Sequence, residues 1–430
     1  MSSIPKTIKY YVTTAFQRGF SYIFVSSMVN KFIVLASTVL LNRFLSQEDY
    51  GYFSYAYNII SMIIVVSSLG VDLSLLQFCC ENRPEEDKRS LQKYALYFGI
   101  VSNVIVSVLT FLVSQSVDVG LEESMLVLSK LSFILPFPFL ISYSSMILRS
   151  RLDNKKYALL TNVSSIAYLG CVLLLIQPFG INGAIVGRYI GFVIPSVVGL
   201  LFLGSSLFEV LKATFPNSSL KKEFLGYGIT VTLTNSVSSL LYYIDIHVVG
   251  LVTSSALSIA AYKTATIIPN ALAALPAVIV TFIYPYFAKN KDNRHWVIKN
   301  TWIIQLFVFG GSSLVALLLW FLAPQIIVLF FGQQYLASVL PFRILLISFV
   351  ISGSFRVITG NVIAMLGRVR VNFYIGLVTC LLNIIVDFIF IKAWGSIGAA
   401  IATTLIMVFA SILSNIYLYL IYGRKTNTVN

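Results

Sequence analysis

Residues 371–422 read VNFYIGLVTC LLNIIVDFIF IKAWGSIGAA IATTLIMVFA SILSNIYLYL IY. Only Asp387 and Lys392 in this stretch carry a charge at neutral pH. The apolar residues follow one another without the alternation of a β-strand, so the stretch predicts α-helices. About 20 apolar residues in a helix cross roughly 30 Å of hydrocarbon, and Gly395 separates two such lengths. The stretch therefore predicts two transmembrane helices, at 371–393 and 395–422.

The same pattern continues through the rest of the chain. Of its 430 residues, 58% are hydrophobic and 11% are charged, and the mean hydropathy is +0.88. A soluble protein of this length needs a far more charged surface. We therefore predict an all-α polytopic membrane protein with about twelve transmembrane helices and no soluble domain. The other ten predicted spans are 13–44, 50–80, 90–114, 122–148, 156–177, 181–207, 224–251, 256–287, 296–323 and 334–365.

Lysine and arginine are unevenly divided between the two sets of loops. One set holds 22 of the 30 basic residues, whereas the other holds only Arg43 and Lys392. Because basic loops of membrane proteins lie in the cytoplasm, we expect a multi-pass inner-membrane protein with both termini cytoplasmic. The first apolar run is long, so no cleaved signal peptide is predicted. The net charge of +14 thus indicates membrane orientation and not a nucleic-acid partner.

Reporter fusions test this orientation directly. Cytoplasmic signals are expected from reporters joined after Lys88, Lys155, Lys221 and Arg294. Periplasmic signals are expected from reporters joined near Asp118, Ser255 and Gln333. One inverted signal in the series would break the twelve-span topology.

Two short segments half a chain apart resemble each other. The sequence GINGA at 180–184 opens one predicted span, and GSIGA at 395–399 opens another, 215 residues later. Small residues are common wherever transmembrane helices pack, which is one explanation. The other is a duplicated architecture of two six-helix lobes with a site between them. On that interpretation residues 1–212 form the N-terminal lobe and residues 213–430 form the C-terminal lobe.

Four predicted spans carry polar side chains along one helical face, and each of these faces includes one charge. The charges are Lys31, Asp72, Asp245 and Lys263, on the first, second, seventh and eighth spans. Hydroxyl groups on such faces can simply join helices together. A charge at the centre of a membrane helix costs at least about 2.5 kcal/mol, so it needs a partner or water. The four charges therefore favour a water-filled cavity.

Further charges lie inside the spans, and each has a structural explanation as well as a functional one. Snorkelling to an interface can account for Lys130 and Arg188. Asp387 can pair with a neighbouring cation. Lys31, in the middle of its span, either pairs with an internal partner such as Asp72 or faces an open cavity. The remaining intramembrane charges are Arg343 and Arg356.

No motif for catalysis or for a metal site accompanies these charges. The four cysteines lack the spacing of a zinc site or a redox pair, and the chain has only two histidines. Asp245 and His247 are two residues apart, so they point to different faces of one helix. We therefore predict no catalytic residue, no metal and no cofactor apart from a coupling ion.

Two stretches carry a family resemblance. LNRFLS at 41–46 with DYGYFS at 49–54 resembles the junction of the first two spans in the polysaccharide-exporter branch of the multidrug/oligosaccharidyl-lipid/polysaccharide (MOP) superfamily. Asn383–Asp387 followed by Trp394–Ala400 resembles the last two spans of that branch. The resemblance implies a Wzx-type flippase with two six-helix, MATE-like lobes around a V-shaped cavity. Such proteins move undecaprenyl-pyrophosphate-linked oligosaccharide repeat units across the inner membrane for O-antigen (lipopolysaccharide) or capsule synthesis.

The resemblance also implies roles for the intramembrane charges. Basic residues in the family's cavity are thought to meet the pyrophosphate and the acidic sugars. That role maps here onto Lys31, Lys263, Arg343 and Arg356. Some members couple transport to H⁺ or Na⁺, and here the carboxylates available for such an ion are Asp72, Asp245 and Asp387. The implied partners are the lipid-linked oligosaccharide, membrane lipids, the polysaccharide polymerase and chain-length proteins.

Two other functions remain alternatives. The same fold serves MATE-like drug/cation antiporters. An organic cation favours an acidic cavity, whereas the spans here contain four cationic side chains and three aspartates. A membrane-embedded polysaccharide enzyme, such as a polymerase, usually needs a large outer loop. The predicted outer loops are short and hold no paired carboxylates or His–Asp motif. We therefore favour a transporter over an enzyme.

Overall fold

The computed structural model describes residues 21–117, 120–273 and 290–422, together with 275–276, 279–280, 283 and 286–287. The start of the first predicted span and parts of the eighth lie outside these residues. All regular structure in the described part is helical, which confirms the predicted all-α class.

Fifteen α-helices are numbered here in chain order. The first eight are α1 Ser21–Phe44, α2 Gln47–Ser67, α3 Val71–Cys80, α4 Glu85–Ser116, α5 Glu122–Leu131, α6 Pro136–Ser150, α7 Asn154–Leu203 and α8 Ser205–Lys212. The others are α9 Ser218–Thr253, α10 Ala256–Leu272, α11 Arg294–Phe321, α12 Ala323–Phe331, α13 Val339–Ile351, α14 Ile358–Met365 and α15 Val369–Ile416. Short 3₁₀ turns lie at Ser132–Ile134 and Gln333–Ser338, and π-helical turns lie at Ser352–Val357 and Tyr417–Tyr422.

The lengths and composition of these helices are those of a multi-pass membrane protein. Within the described residues, five helical stretches are long and apolar enough to cross a membrane, and three bent pairs raise the number to eight. Two of the five are the 50-residue α7 and the 48-residue α15. Both are broken in the middle, at the positions where the sequence predicts a boundary between spans. The total of twelve spans stays a prediction.

The break in α7 turns the chain back on itself. Gly180 has φ 52° and ψ −131°, a conformation that only glycine adopts readily. Beyond the break, three glycines four residues apart face the first half of the same helix. A Cβ at Gly183 would overlap the carbonyl oxygen of Leu175, and one at Gly187 would lie 3.1 Å from Cβ of Cys171. The third, Gly191, meets Tyr168 in the same way. The glycine face therefore allows two antiparallel helices to pack closely.

The break in α15 repeats this geometry. Gly395 has φ 55° and ψ −130°, within a few degrees of Gly180. A Cβ at Gly398 would overlap the carbonyl oxygen of Phe390, just as one at Gly183 would overlap that of Leu175. The resemblance between GINGA and GSIGA is thus accompanied by the same backbone conformation in two helical hairpins.

The described chain divides into two compact units. Unit 1 comprises the residues up to Leu45, Ile59–Val117 and Glu123–Ser236, and unit 2 comprises Ser46–Asn58, residues 120–122 and the chain from Val237. The core of unit 1 is built from side chains of α3, α4, α6, α7 and the start of α9, among them Leu75, Leu91, Tyr143 and Leu160. The lobe boundary between residues 212 and 213 stays a prediction.

Candidate functional site

Unit 2 contains a buried pair of carboxylates joined by one amide. Asp245 lies in the second half of α9, and Asn383 and Asp387 lie one turn apart on the first half of α15. The Asn383 side-chain amide donates to Oδ1 of Asp245 at 2.7 Å and to Oδ2 of Asp387 at 2.9 Å. The two aspartates are 4% and 0% exposed. Asn383 thus holds two carboxyl groups close together in a low-dielectric interior.

Two hydroxyl groups complete this cluster around Asp245. The Tyr262 hydroxyl, from α10, donates to Oδ2 of Asp245 at 2.6 Å. Thr403 Oγ1 lies 2.7 Å from the same oxygen and 2.9 Å from the Tyr262 hydroxyl. Thr403 stands on the second half of α15, beyond the Gly395 break, so the hairpin brings both halves of that helix to one carboxylate. We call Asp245, Tyr262, Asn383, Asp387 and Thr403 the acidic cluster.

One oxygen of the acidic cluster differs from the others. Within the described residues, Asp387 Oδ1 is buried and has no hydrogen-bond partner. A buried carboxylate oxygen is stabilised by a proton or by a cation, because burial of an uncompensated charge is costly. The sequence offers a neighbouring cation as the partner of Asp387, whereas the structure joins Asp387 through Asn383 to a second aspartate. The acidic cluster can therefore hold a proton or a small cation with oxygen ligands.

Asp72, in unit 1, has a different environment. It lies in the first turn of α3, after a break at Leu69 and Gly70 with positive φ. The hydroxyls of Ser68 and Ser142 donate to its two oxygens. A carboxylate is also favoured at a helix N-terminus by the helix dipole. Asp72 is therefore satisfied by local structure, and these contacts stabilise the bend between α2 and α3.

One of the two explanations predicted for Lys31 is an internal ion pair with a residue such as Asp72. The structure does not show that ion pair among the residues that it describes. Its side chain is exposed on α1. The ion pairs found in the described residues join other side chains, and Asp72 binds serine hydroxyls instead. The second explanation, in which the ammonium group of Lys31 faces water or a ligand, stays a prediction.

The other three predicted cations lie in unit 2. Lys263 follows Tyr262 on α10 and is half-buried. Arg343, on α13, donates from Nε to the carbonyl oxygen of Trp320 at 3.1 Å and stacks near the Trp320 ring. Arg356 lies in the π-helical turn at Ser352–Val357, with Nη1 3.4 Å from the sulfur of Met407. Such turns inside α-helices often occur at functional sites.

Unit 1 contains a cavity of about 280 Å³ between α1, α6 and α7. Its wall includes Asn30 and Thr38 from α1 and Ser164 from the first half of α7. Arg188, from the second half of α7, also lines it, with its guanidinium carbon 3.7 Å from the centroid of the Tyr168 ring. The sequence offers snorkelling for Arg188, but this side chain lies against an internal tyrosine at the cavity wall.

Three members of the acidic cluster are absent from the predicted site residues. Tyr262 and Thr403 have side chains that are common in helix packing, so the sequence could not distinguish them from ordinary packing residues. Asn383 carried a usable signal, because an asparagine one helical turn before Asp387 can bridge that carboxylate to another helix. Within the described residues, no group of three or more histidine, cysteine, aspartate or glutamate side chains is placed to hold a metal ion.

The sequence is similar to those of known membrane proteins. The family model for polysaccharide biosynthesis proteins matches residues 16–291. An uncharacterised membrane protein of Methanocaldococcus jannaschii is 24% identical over an alignment of 401 residues that covers 89% of this chain and 92% of that protein.

Two solved structures have the same fold. The lipid II flippase MurJ, in an inward closed conformation, aligns with a TM-score of 0.74 and 18% identity over 95% of this chain and 93% of that one. An inward-facing multidrug resistance MATE transporter of the MOP superfamily aligns with a TM-score of 0.81 and 15% identity, over 95% and 100% of the two chains. The chain therefore has the MOP fold, as predicted.

Proposed function

Because this chain belongs to the polysaccharide biosynthesis protein family, we propose that it is a flippase for lipid-linked oligosaccharides and not an enzyme. The substrate is an undecaprenyl-pyrophosphate-linked repeat unit of O-antigen or capsule, moved from the inner to the outer leaflet of the bacterial inner membrane. A cation, H⁺ or Na⁺, drives this movement by binding at the acidic cluster. The polysaccharide polymerase and chain-length proteins act on the product.

The observation that carries this proposal is the acidic cluster itself. Two carboxylates, 4% and 0% exposed, are expensive inside a membrane protein and add nothing to simple helix packing. Their ligand set of carboxylate and hydroxyl oxygens suits a proton or a small hard cation. A cation that binds one conformation better than another shifts the population between them, which is the physical basis of coupled transport.

The same cluster argues against a drug/cation antiporter. An organic cation needs an open, acidic surface, whereas Asp245 and Asp387 are enclosed and their neighbours occupy the space around them. The cationic residues Lys31 and Arg188 instead favour an anionic substrate.

The proposal is tested in cells that make a surface polysaccharide. Loss of the chain should remove the polysaccharide from the surface and cause lipid-linked oligosaccharide to accumulate in the cytoplasmic leaflet. Loss of a glycosyltransferase should remove the polysaccharide without that accumulation. Normal surface polysaccharide, together with raised sensitivity to cationic drugs, would favour the antiporter.

The exposed position of Lys31 gives a second expectation. Lys31→Ala should abolish surface polysaccharide at a normal level of protein, because the ammonium group meets the diphosphate. Lys31→Arg should largely retain it, since arginine keeps the charge. Immunoblots of membranes and of surface polysaccharide measure both. If Lys31→Ala lowers the amount of folded protein and Lys31→Ala/Asp72→Ala restores it, Lys31 is a structural ion-pair partner.

A further inference from the structure

The two helical hairpins allow the units to be compared residue by residue. The breaks at Gly180 and Gly395 are 215 residues apart and have the same backbone conformation. The helices α7 and α15 begin at Asn154 and Val369, which have the same separation. The carbonyl groups met by Gly183 and Gly398 belong to Leu175 and Phe390, again 215 residues apart. The register of the two hairpins is therefore fixed along both halves.

This register relates the acidic cluster to the cavity of unit 1. Asn383, which bridges the carboxylates on the first half of α15, corresponds to Tyr168 on the first half of α7. Thr403, which contacts Asp245 from the second half of α15, corresponds to Arg188. Where unit 2 places an amide and a hydroxyl group against a carboxylate, unit 1 places a guanidinium group against an aromatic ring at the cavity wall. Unit 1 thus carries a cationic side chain at the position where unit 2 carries the neutral Thr403, which contacts a carboxylate.

The lining of the unit 1 cavity adds a second constraint on its ligand. The Tyr168 ring holds the face of the Arg188 guanidinium group, so its N–H donors lie in a fixed plane. The hydroxyls of Thr38 and Ser164 donate to the backbone carbonyls of Val34 and Gly191, at 2.8 and 3.3 Å. Their oxygens therefore retain lone pairs that can accept hydrogen bonds. The cavity offers donors for an anionic oxygen at one point and acceptors for hydroxyl groups at others.

We propose that the unit 1 cavity is a binding site for a phosphate-bearing sugar headgroup, with Arg188 as its anion contact. This inference rests on the proposed function, because the headgroup is that of the lipid-linked substrate. Phospholipid headgroups share the phosphate, so they compete for Arg188, but the glycerol of phosphatidylglycerol offers fewer hydroxyl groups to the acceptors of the wall than a sugar does. The cavity of unit 1 and the acidic cluster of unit 2 then serve anion and cation from corresponding positions of one repeat.

Native mass spectrometry of the full chain in detergent tests this site. The probes are undecaprenyl diphosphate carrying N-acetylglucosamine, undecaprenol, and phosphatidylglycerol. Wild type should retain the diphosphate sugar in preference to both other lipids. Arg188→Ala should weaken that retention by about tenfold or more, as expected for loss of a charge-assisted hydrogen bond. Arg188→Lys should weaken it less, since the charge is kept.

Lys130→Ala is the matched control, because Lys130 is an intramembrane cation of unit 1 that binds Asn182 outside the cavity. It should leave retention unchanged, and thermal unfolding should show that all variants fold. Equal retention by wild type and folded Arg188→Ala overturns the inference, as does a wild type that prefers phosphatidylglycerol. If Arg188→Ala does not fold, Thr38→Val tests the hydroxyl acceptors of the cavity wall instead. Unchanged retention of the diphosphate sugar lipid by Thr38→Val would count against the site. Transport is measured separately, in vesicles that contain the wild-type protein. If these vesicles do not move the lipid between leaflets, the proposed function fails instead of the binding site.

Discussion

Asp245→Asn is expected to abolish cation-driven movement of lipid-linked oligosaccharide while the protein stays folded in the membrane. Asparagine has the same shape, and its amide oxygen can still accept the hydrogen bond that Asn383 donates. The change removes one of the two buried carboxyl groups and with it the affinity for the coupling ion. A charge-assisted contact contributes about 1.5–3 kcal/mol, so ion binding should weaken by roughly tenfold or more.

The measurement compares the movement of lipid-linked oligosaccharide between the two leaflets with and without an imposed cation gradient. Asp387→Asn should behave like Asp245→Asn, because Asn383 joins the two carboxylates. Asp72→Asn is the comparison variant, since serine hydroxyls already satisfy Asp72. It should retain more of the gradient-driven movement. Full gradient-driven movement by Asp245→Asn would remove the acidic cluster from the mechanism.

Gly398→Ala is expected to prevent correct folding, although alanine is the better helix former. A Cβ at residue 398 would overlap the carbonyl oxygen of Phe390, which belongs to the helix backbone and cannot rotate away. Overpacking against movable side chains typically costs about 1–3 kcal/mol, and a clash with backbone exceeds that range. Gly183→Ala should have the same effect in α7, where the clash is with Leu175.

The control is Gly310→Ala on α11, where an added Cβ meets no atom within 4 Å. Replacing that glycine should be neutral or stabilising, by up to about 1 kcal/mol, because alanine favours the helix. The yield of monodisperse protein in detergent and its unfolding temperature measure the difference. A Gly398→Ala protein as abundant and as stable as Gly310→Ala would show that the hairpin is not packed as described.

The helical class and the two hairpin breaks could be predicted because they depend on local sequence. Apolar runs of span length have few alternatives in a membrane, and a glycine between two such runs marks the turn. The GINGA and GSIGA segments indicated a duplication, and the structure adds that both turns have the same φ and ψ. These features need no knowledge of which helices pack together.

The acidic cluster could be predicted only in part because it depends on contacts between distant helices. Asp245 and Asp387 stood out as charges inside apolar runs. Their shared neighbour Asn383 is 138 residues from Asp245, so the sequence could not show the link. Tyr262 and Thr403 carry no charge, and their role depends on the oxygen that they contact.

For Arg188, the sequence allowed an explanation that differs from the contacts in the structure. Its place near the start of a predicted span allowed an interfacial explanation, because long cationic side chains can reach the membrane surface. The structure instead places its guanidinium group on the buried Tyr168, at the wall of a cavity. The direction of a side chain depends on helix packing, and the position of a residue within its span does not determine it.

The most direct test of the account uses proteoliposomes that contain the purified chain and a lipid-linked oligosaccharide. A glycosidase too large to cross the bilayer, added outside, measures the share of oligosaccharide in the outer leaflet. We expect that an imposed Na⁺ or H⁺ gradient moves oligosaccharide between leaflets in wild-type vesicles, so that the digested share changes, while Asp245→Asn vesicles stay at the level of protein-free vesicles. A digested share that is the same in wild-type and protein-free vesicles under every gradient would contradict it.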